Sequence, residues 1–178
     1  MSKILIIAEH DGGKLNASTA KCVTCAAKIA GATIDVAVLA ADAAAIAAEA
    51  AALAGVSKVL VVESAANKEP LAAVLAPQIA KLAAGYTHVF GPSTTFGKDV
   101  MPRVAALLGV SQISDIMTVD GSHTFKRPIY AGNAILTVEA PAGAPVVATV
   151  RVASFEAAAT GGSAAVEKVD PGATLPSH

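Results

Sequence analysis

Four short apolar runs recur in the first half of this chain, each followed by helical spacing, and that alternation constrains the fold more than any other feature. "KILIIAE" (3–9), "TIDVAVLA" (33–40), "KVLVVE" (58–63) and "YTHVFG" (86–91) are close to continuous in apolar character. A strand with one wet face alternates apolar and polar residues. Strands that do not alternate are covered on both faces, as in a parallel sheet flanked by helices. The spacing predicts helices over 16–30, 42–54 and 70–84, and a fourth that ends before Gly109. Asn16 or Ser18 caps the first, with Gly31 past its end; Asp42 caps the second and Gly55 stops it. Pro70 lies near the first turn of the third, where a missing N–H costs nothing. Pro77 is expected to kink or split its helix. Pro102 either bends the fourth helix or opens its regular part. Right-handed crossovers then give an α/β fold, a three-layer αβα sandwich.

After residue 110 the period changes. "SQISDIMTV" leads into Asp120-Gly121, a hairpin signal, and "TFKRPIYAG", "NAILTVEAP" and "VVATVRV" follow without helices between them. These read as antiparallel strands extending the parallel sheet. Residues 1–153 are expected to form one α/β domain. Residues 154–178, small, polar and punctuated by Gly and Pro, read as an arm or linker.

A core of this kind has to be aliphatic, because only 3% of the 178 residues are aromatic while 54% are hydrophobic. Thirteen basic residues against 14 acidic ones give a formal net charge of −1, and no basic cluster offers a footprint for nucleic acid. The apolar run at the start is too short for a signal peptide, and Asp42, Glu49 and Lys58 interrupt the most apolar region, so no membrane insertion is expected. The two cysteines suggest a reducing compartment, and the cytoplasm is the simplest location.

Three stretches carry candidate chemistry. Glu9, His10 and Asp11 follow the first strand, at the edge where open parallel sheets bind ligands. They suggest a metal or acid–base cluster, although three adjacent turn residues do not easily aim at one centre; a solvated turn is the plainer reading. Cys22 and Cys25 have redox-motif spacing but fall within a helix rather than at its N-terminus, which favours buried structural thiols, and no second pair completes a zinc site. In "GPSTTFGKD" (91–99), Ser93, Thr94, Thr95 and Lys98 gather hydroxyls, a cation and helix N-terminal N–H groups, the local chemistry of an anion site; Ser and Thr serve equally as ordinary helix caps. A fourth stretch, "FKRPIYAGNA" (125–134), places Lys126, Arg127 and Pro128 together. It reads either as an edge strand guarded against pairing or as a docking surface anchored by Arg127 and Tyr130. No triad or carboxylate pair emerges, and an enzyme is not expected.

"ILIIAEHDGGKLN", "GPSTTFGKDVMPRVAALL", "SQISDI", "RPIYAGNA" and "TVRVASFEAAATGGSAAVE" resemble, in order and over nearly the whole chain, the alpha subunit of electron transfer flavoprotein. The resemblance implies an adenine-nucleotide alpha-hydrolase-like sandwich. It also implies a heterodimer with a beta subunit, carrying FAD. That carrier takes electrons from acyl-CoA dehydrogenases and other flavin dehydrogenases and passes them to a membrane quinone oxidoreductase. In the family a second domain of the alpha chain holds most of the FAD. No such segment follows "DPGATLPSH" here, so residues 154–178 are expected to lead toward that domain, and FAD binding by this chain alone is not expected. The beta subunit's related loop holds AMP; the alpha version is not known for a nucleotide. The resemblance therefore implies that Thr94, Thr95, Lys98, Arg127, Tyr130 and Asn133 line a surface toward the FAD domain or the beta subunit. The alternative is a stand-alone AMP- or ATP-binding module of the same fold, with the nucleotide on the Ser93–Thr95 loop. An enzyme built on Glu9–Asp11 is a third reading.

Overall fold

The computed structural model describes residues 1–176. Its first half follows the alternation: β1 (Lys3–Ile7), the two-residue pair β2 (His10–Asp11) and β3 (Lys14–Leu15), α1 (Ala17–Ala26), β4 (Thr33–Ala40), α2 (Ala44–Ala51), β5 (Lys58–Glu63), α3 (Ala72–Leu82), β6 (His88–Pro92) and α4 (Thr95–Leu107). Then come β7 (Gln112–Ile116), β8 (Thr118–Val119), β9 (Thr124–Ile129), β10 (Ala134–Glu139), β11 (Val146–Val150) and β12 (Ala165–Lys168). Seven strands form one sheet in the order β12-β5-β4-β1-β6-β11-β7, parallel throughout.

The two faces of this sheet explain the apolar runs. Ile4, Ile6, Val36, Val38, Val59 and Val61 pack under α1 and α2. Their neighbours Leu5, Ile7, Ala37, Leu39, Leu60 and Val62 pack under α3 and α4. Every interior position along these strands is buried on one side or the other, so alternation disappears from the sequence.

The helices differ from expectation at their ends and at their prolines. Asn16 is the first cap, its Oδ1 accepting from the Ser18 N–H at 2.9 Å. The second helix begins at Ala44 after Ala43 rather than capping on Asp42, whose Oδ1 lies 3.4 Å from the Ala44 nitrogen. Neither Pro77 nor Pro102 splits its helix, and α4 starts at Thr95, so Pro102 is not its first residue. The carbonyls freed one turn earlier, at Ala73 and Lys98, belong to residues that are not buried, one half-buried and one exposed.

The second half holds the main difference. The antiparallel strands do not extend the main sheet; β10-β9-β8 form a sheet of their own. Its turn lies at Asp120-Gly121, whose N–H groups both reach the Thr124 carbonyl, at 2.9 and 3.2 Å. "VVATV" instead enters the main sheet as β11, parallel between β6 and β7. Joining parallel strands β7 and β11 requires a crossover, and the antiparallel sheet is that crossover. It lies on the α1–α2 face, where buried Phe125 meets Phe90 edge-on at 6.2 Å.

The segment after β11 crosses the same face. Phe155 is buried, the Ala158 N–H donates to the Ala20 carbonyl, and Gly161 and Gly162 both donate to Ala52 at 2.9 Å. A Cβ at Gly162 would lie 2.3 Å from the Leu53 carbonyl oxygen, so this crossing admits only glycine. The segment then adds β12 beside β5.

His88 ties the two sheets together. It is fully buried on β6; its Nε2 donates to the Ser122 carbonyl at 2.6 Å and its Nδ1 lies 2.7 Å from Thr87 Oγ1. Burial lowers its pKa below the ordinary 6.5, His123 lowers it further, and the Ser122 carbonyl opposes both. The unfolded chain therefore takes up this proton first. The stabilisation is complete above pH 6.5 and declines as pH falls below it. Thermal unfolding between pH 7 and pH 5 should show a falling Tm whose slope shrinks in His88→Gln. An equal slope in both proteins would contradict this role.

Candidate functional site

The Glu9–Asp11 loop does not converge on one centre. Glu9 Oε2 accepts from Ser18 Oγ at 2.6 Å, His10 Nε2 lies 2.9 Å from the Leu39 carbonyl, and Asp11 pairs with Lys14 across β2 and β3. Among the described residues no three His, Cys, Asp or Glu side chains are grouped to hold a metal. The loop's polar atoms fasten β1 and α1 to their neighbours.

The Ser93–Lys98 loop lies where an open sheet reverses its strand order, beside β1 and β6, the usual ligand crevice. Here the protein's own groups occupy it. The Ser93 N–H donates to the Val150 carbonyl at 2.8 Å, and Thr94 caps α4 by accepting from the Gly97 N–H at 3.4 Å. A Cβ built on Gly97 would sit 1.7 Å from the Pro92 carbonyl oxygen, so the first turn of α4 lies against the end of β6. Thr95 and Lys98 are exposed at the rim. With the Ser93 and Gly97 N–H groups spent on the protein itself, and the Pro92 carbonyl oxygen against the first turn, fewer donors remain here for an anion than the sequence suggests.

The antiparallel sheet presents the other candidates. Since Ser122 touches His88 near the start of β6, and the Lys126 carbonyl accepts from the Met117 N–H just beyond β7, β9 climbs toward the C-terminal edge of the main sheet. Tyr130 sits at its tip, 83% exposed. Tyr130 and Ala131 both have left-handed backbone, φ 50° and 52°, a strain of about 1–2 kcal/mol per residue for side chains other than glycine. Asn133 Nδ2 donates to the Tyr130 carbonyl at 2.9 Å and braces the turn.

Arg127 does not share Tyr130's exposure. It is half-buried, and its Nε donates to the Ser114 carbonyl at 2.6 Å. A docking surface anchored by both Arg127 and Tyr130 needs both side chains free, and Arg127 is not: the crossover sheet leans against the edge of β7, and Arg127 fills the seam. Lys126 pairs with Asp120 at 2.8 Å.

Sequence reasoning missed the apolar neighbours of Tyr130. Ile129 on β9 and Ile135 and Leu136 on β10 are exposed by 37%, 58% and 43%. The signal was present in "AILTVE", where adjacent Ile135 and Leu136 must face opposite ways and only one of them can face the protein.

The family model described as "Electron transfer flavoprotein domain" matches residues 4–174. The chain belongs to the electron transfer flavoprotein family. It is 53% identical over 167 residues to the electron transfer flavoprotein subunit alpha of Pseudomonas aeruginosa, covering 93% of this chain and 53% of that one. Identity to the subunit alpha of Paracoccus denitrificans is 46% over 174 residues, covering 95% of this chain and 56% of that one. The mitochondrial subunit alpha of Dictyostelium discoideum shares 41% over 171 residues, covering 92% and 48%. The chain thus spans about half the length of the curated relatives it matches. Among the described residues no helix is long and apolar enough to cross a membrane.

Within this family fold, Cys22 and Cys25 are fully buried free thiols on α1. Burial pushes Cys25 up to about 12 and Cys22 well above its usual 9.0, so neither supplies thiolate near neutral pH. A thiol reagent should modify them only at the rate of unfolding. Rapid labelling of native protein, before any loss of helical signal, would contradict this.

Proposed function

We propose that this chain is the scaffold half of an electron transfer flavoprotein alpha subunit: a docking domain, not an enzyme. With an FAD-binding domain and a beta subunit it serves a cytoplasmic carrier. That carrier collects electrons from acyl-CoA dehydrogenases and other flavin dehydrogenases and delivers them to a membrane quinone oxidoreductase. The flavin supplies the redox chemistry; this chain supplies binding and orientation. The docking domain runs through β12, which belongs to the main sheet, and the residues after Lys168 lead toward the FAD domain.

One observation carries this reading. Tyr130 is a large aromatic side chain held outward on left-handed backbone, at the tip of a sheet that also leaves Ile129, Ile135 and Leu136 exposed. Strain retained at an exposed apolar tip favours a role outside the chain's own stability. Aromatic anchors within apolar surroundings are common hot spots of protein interfaces. Arg127 and Asn133 shape the base of this tip, and Thr94, Thr95 and Lys98 lie on the same C-terminal edge of the sheet, beyond β11.

Tyr130→Ala should leave the Tm of the isolated chain nearly unchanged, since the side chain is exposed. It should weaken association with the beta subunit by about 1–3 kcal/mol, roughly 5- to 150-fold. Loss of chain stability with unchanged association would make Tyr130 structural and sink the docking reading.

A further inference from the structure

The dipeptide Asp-Gly occurs twice in this chain, at Asp11-Gly12 and at Asp120-Gly121. It carries a chemistry of its own. Glycine has no side chain to shield its amide nitrogen, and that nitrogen can close a five-membered ring on the aspartate carboxyl before it. Both pairs lie at hairpin turns, yet the structure treats them differently.

At Asp120-Gly121 both reacting groups are held. The Gly121 N–H donates to the Thr124 carbonyl at 3.2 Å, and the Asp120 N–H donates to the same carbonyl at 2.9 Å. The Asp120 carboxylate pairs with Lys126 at 2.8 Å. Ring closure there requires both holds to break.

Asp11-Gly12 has neither hold. Asp11, Gly12, Gly13 and Lys14 are all exposed. Gly12 and Gly13 have φ 54° and 81°, the left-handed pair of a two-residue hairpin turn, which leaves the N–H of its first residue outside the ladder. Among the described residues neither that N–H nor the Asp11 carboxylate has a hydrogen-bond or ion-pair partner. A Cβ added at either glycine would meet nothing within 4 Å, so the tip has room to turn. The hairpin has only two residue pairs, and its base is fixed by His10 on the Leu39 carbonyl and by the Leu15 N–H on Glu49 Oε2 at 3.0 Å. A ladder that short opens locally at little cost while its base stays in place.

We propose that Asp11 is a site of spontaneous isoaspartate formation and that Asp120 is protected from it. The Gly12 nitrogen loses its proton and bonds to Cγ of the protonated Asp11 carboxyl; the Cγ–OH bond breaks, and one water leaves. A water then opens the imide. Opening at Cγ restores aspartate. Opening at the backbone carbonyl carbon leaves the chain running through Cγ, with the former backbone carbonyl as a free carboxylate. No electrons change hands, and the water lost is the water regained. The product carries one extra methylene group in its main chain, which ends the Asp11–Lys14 pairing and slackens the hairpin next to His10. Its new carboxylate lies on an exposed turn, open to an isoaspartyl methyltransferase.

The unaltered chain, aged at neutral pH in native buffer and in guanidinium chloride, tests this. Electron-transfer fragmentation of its peptides tells isoaspartate from aspartate at each position. In denaturant the two sites should isomerise at similar rates, since neither is held. In the native protein Asp11 should keep most of its denatured rate, while Asp120 should fall behind by about 10-fold or more, the protection its closed turn gives. Native rates that are equal at the two sites, both fast or both slow, overturn the proposal, as does isomerisation confined to Asp120.

Discussion

A parallel strand cannot be reached by a tight turn, and all seven strands of the main sheet are parallel. Each strand must therefore be bought with a crossover across one face. For the strands up to β7 the crossovers are mostly helices, whose backbone groups are satisfied internally. For the last two the chain does otherwise. An antiparallel sheet carries it from β7 to β11, and an extended segment carries it from β11 across α1 and α2 to β12. A helix crossover buries its apolar stripe and leaves no edge. A sheet crossover buries one face, here through Phe125, and leaves the β10 edge and the tip beyond Ile129 open. The exposed apolar surface is thus a consequence of how one parallel connection is made.

The same reasoning separates what was legible in the sequence from what was not. Thr33–Ala40 and Lys58–Glu63 are strands over the residues their composition marks, because strands covered on both faces leave an unbroken apolar record. The Asp120-Gly121 turn is equally visible, since its chemistry is local. "VVATV" was misread because five buried residues look alike in either direction; only its place between β6 and β7 makes it parallel. β12 was read as linker because "AVEK" is exposed along its whole length and is held mainly by main-chain pairing with β5. Pairing of that kind leaves no trace in side-chain pattern.

At the candidate surface the outcome divides along similar lines. The hydroxyls of the Ser93–Thr95 loop read as an anion site or as helix caps, and sequence does not show where the N–H groups of a loop are spent. The Val150 carbonyl and the Pro92–Gly97 contact decide that, and both depend on tertiary approach. Tyr130 stood out by type and neighbours, while Arg127 in the same motif turned inward to Ser114. One motif therefore supplies both an anchor and the brace that holds the crossover sheet against β7.

Two donors of the ligand crevice are taken by the protein's own groups, and the docking reading therefore expects this chain to act through its crossover sheet rather than to hold a nucleotide there. Calorimetric titration of AMP into the purified 178-residue chain tests this most directly. The account predicts no saturable binding in the micromolar range, because the Ser93 and Gly97 N–H groups are committed to Val150 and Thr94 and Gly97 lies against Pro92. One AMP bound per chain with micromolar Kd would contradict it and would place the chain among nucleotide-binding modules of the same fold.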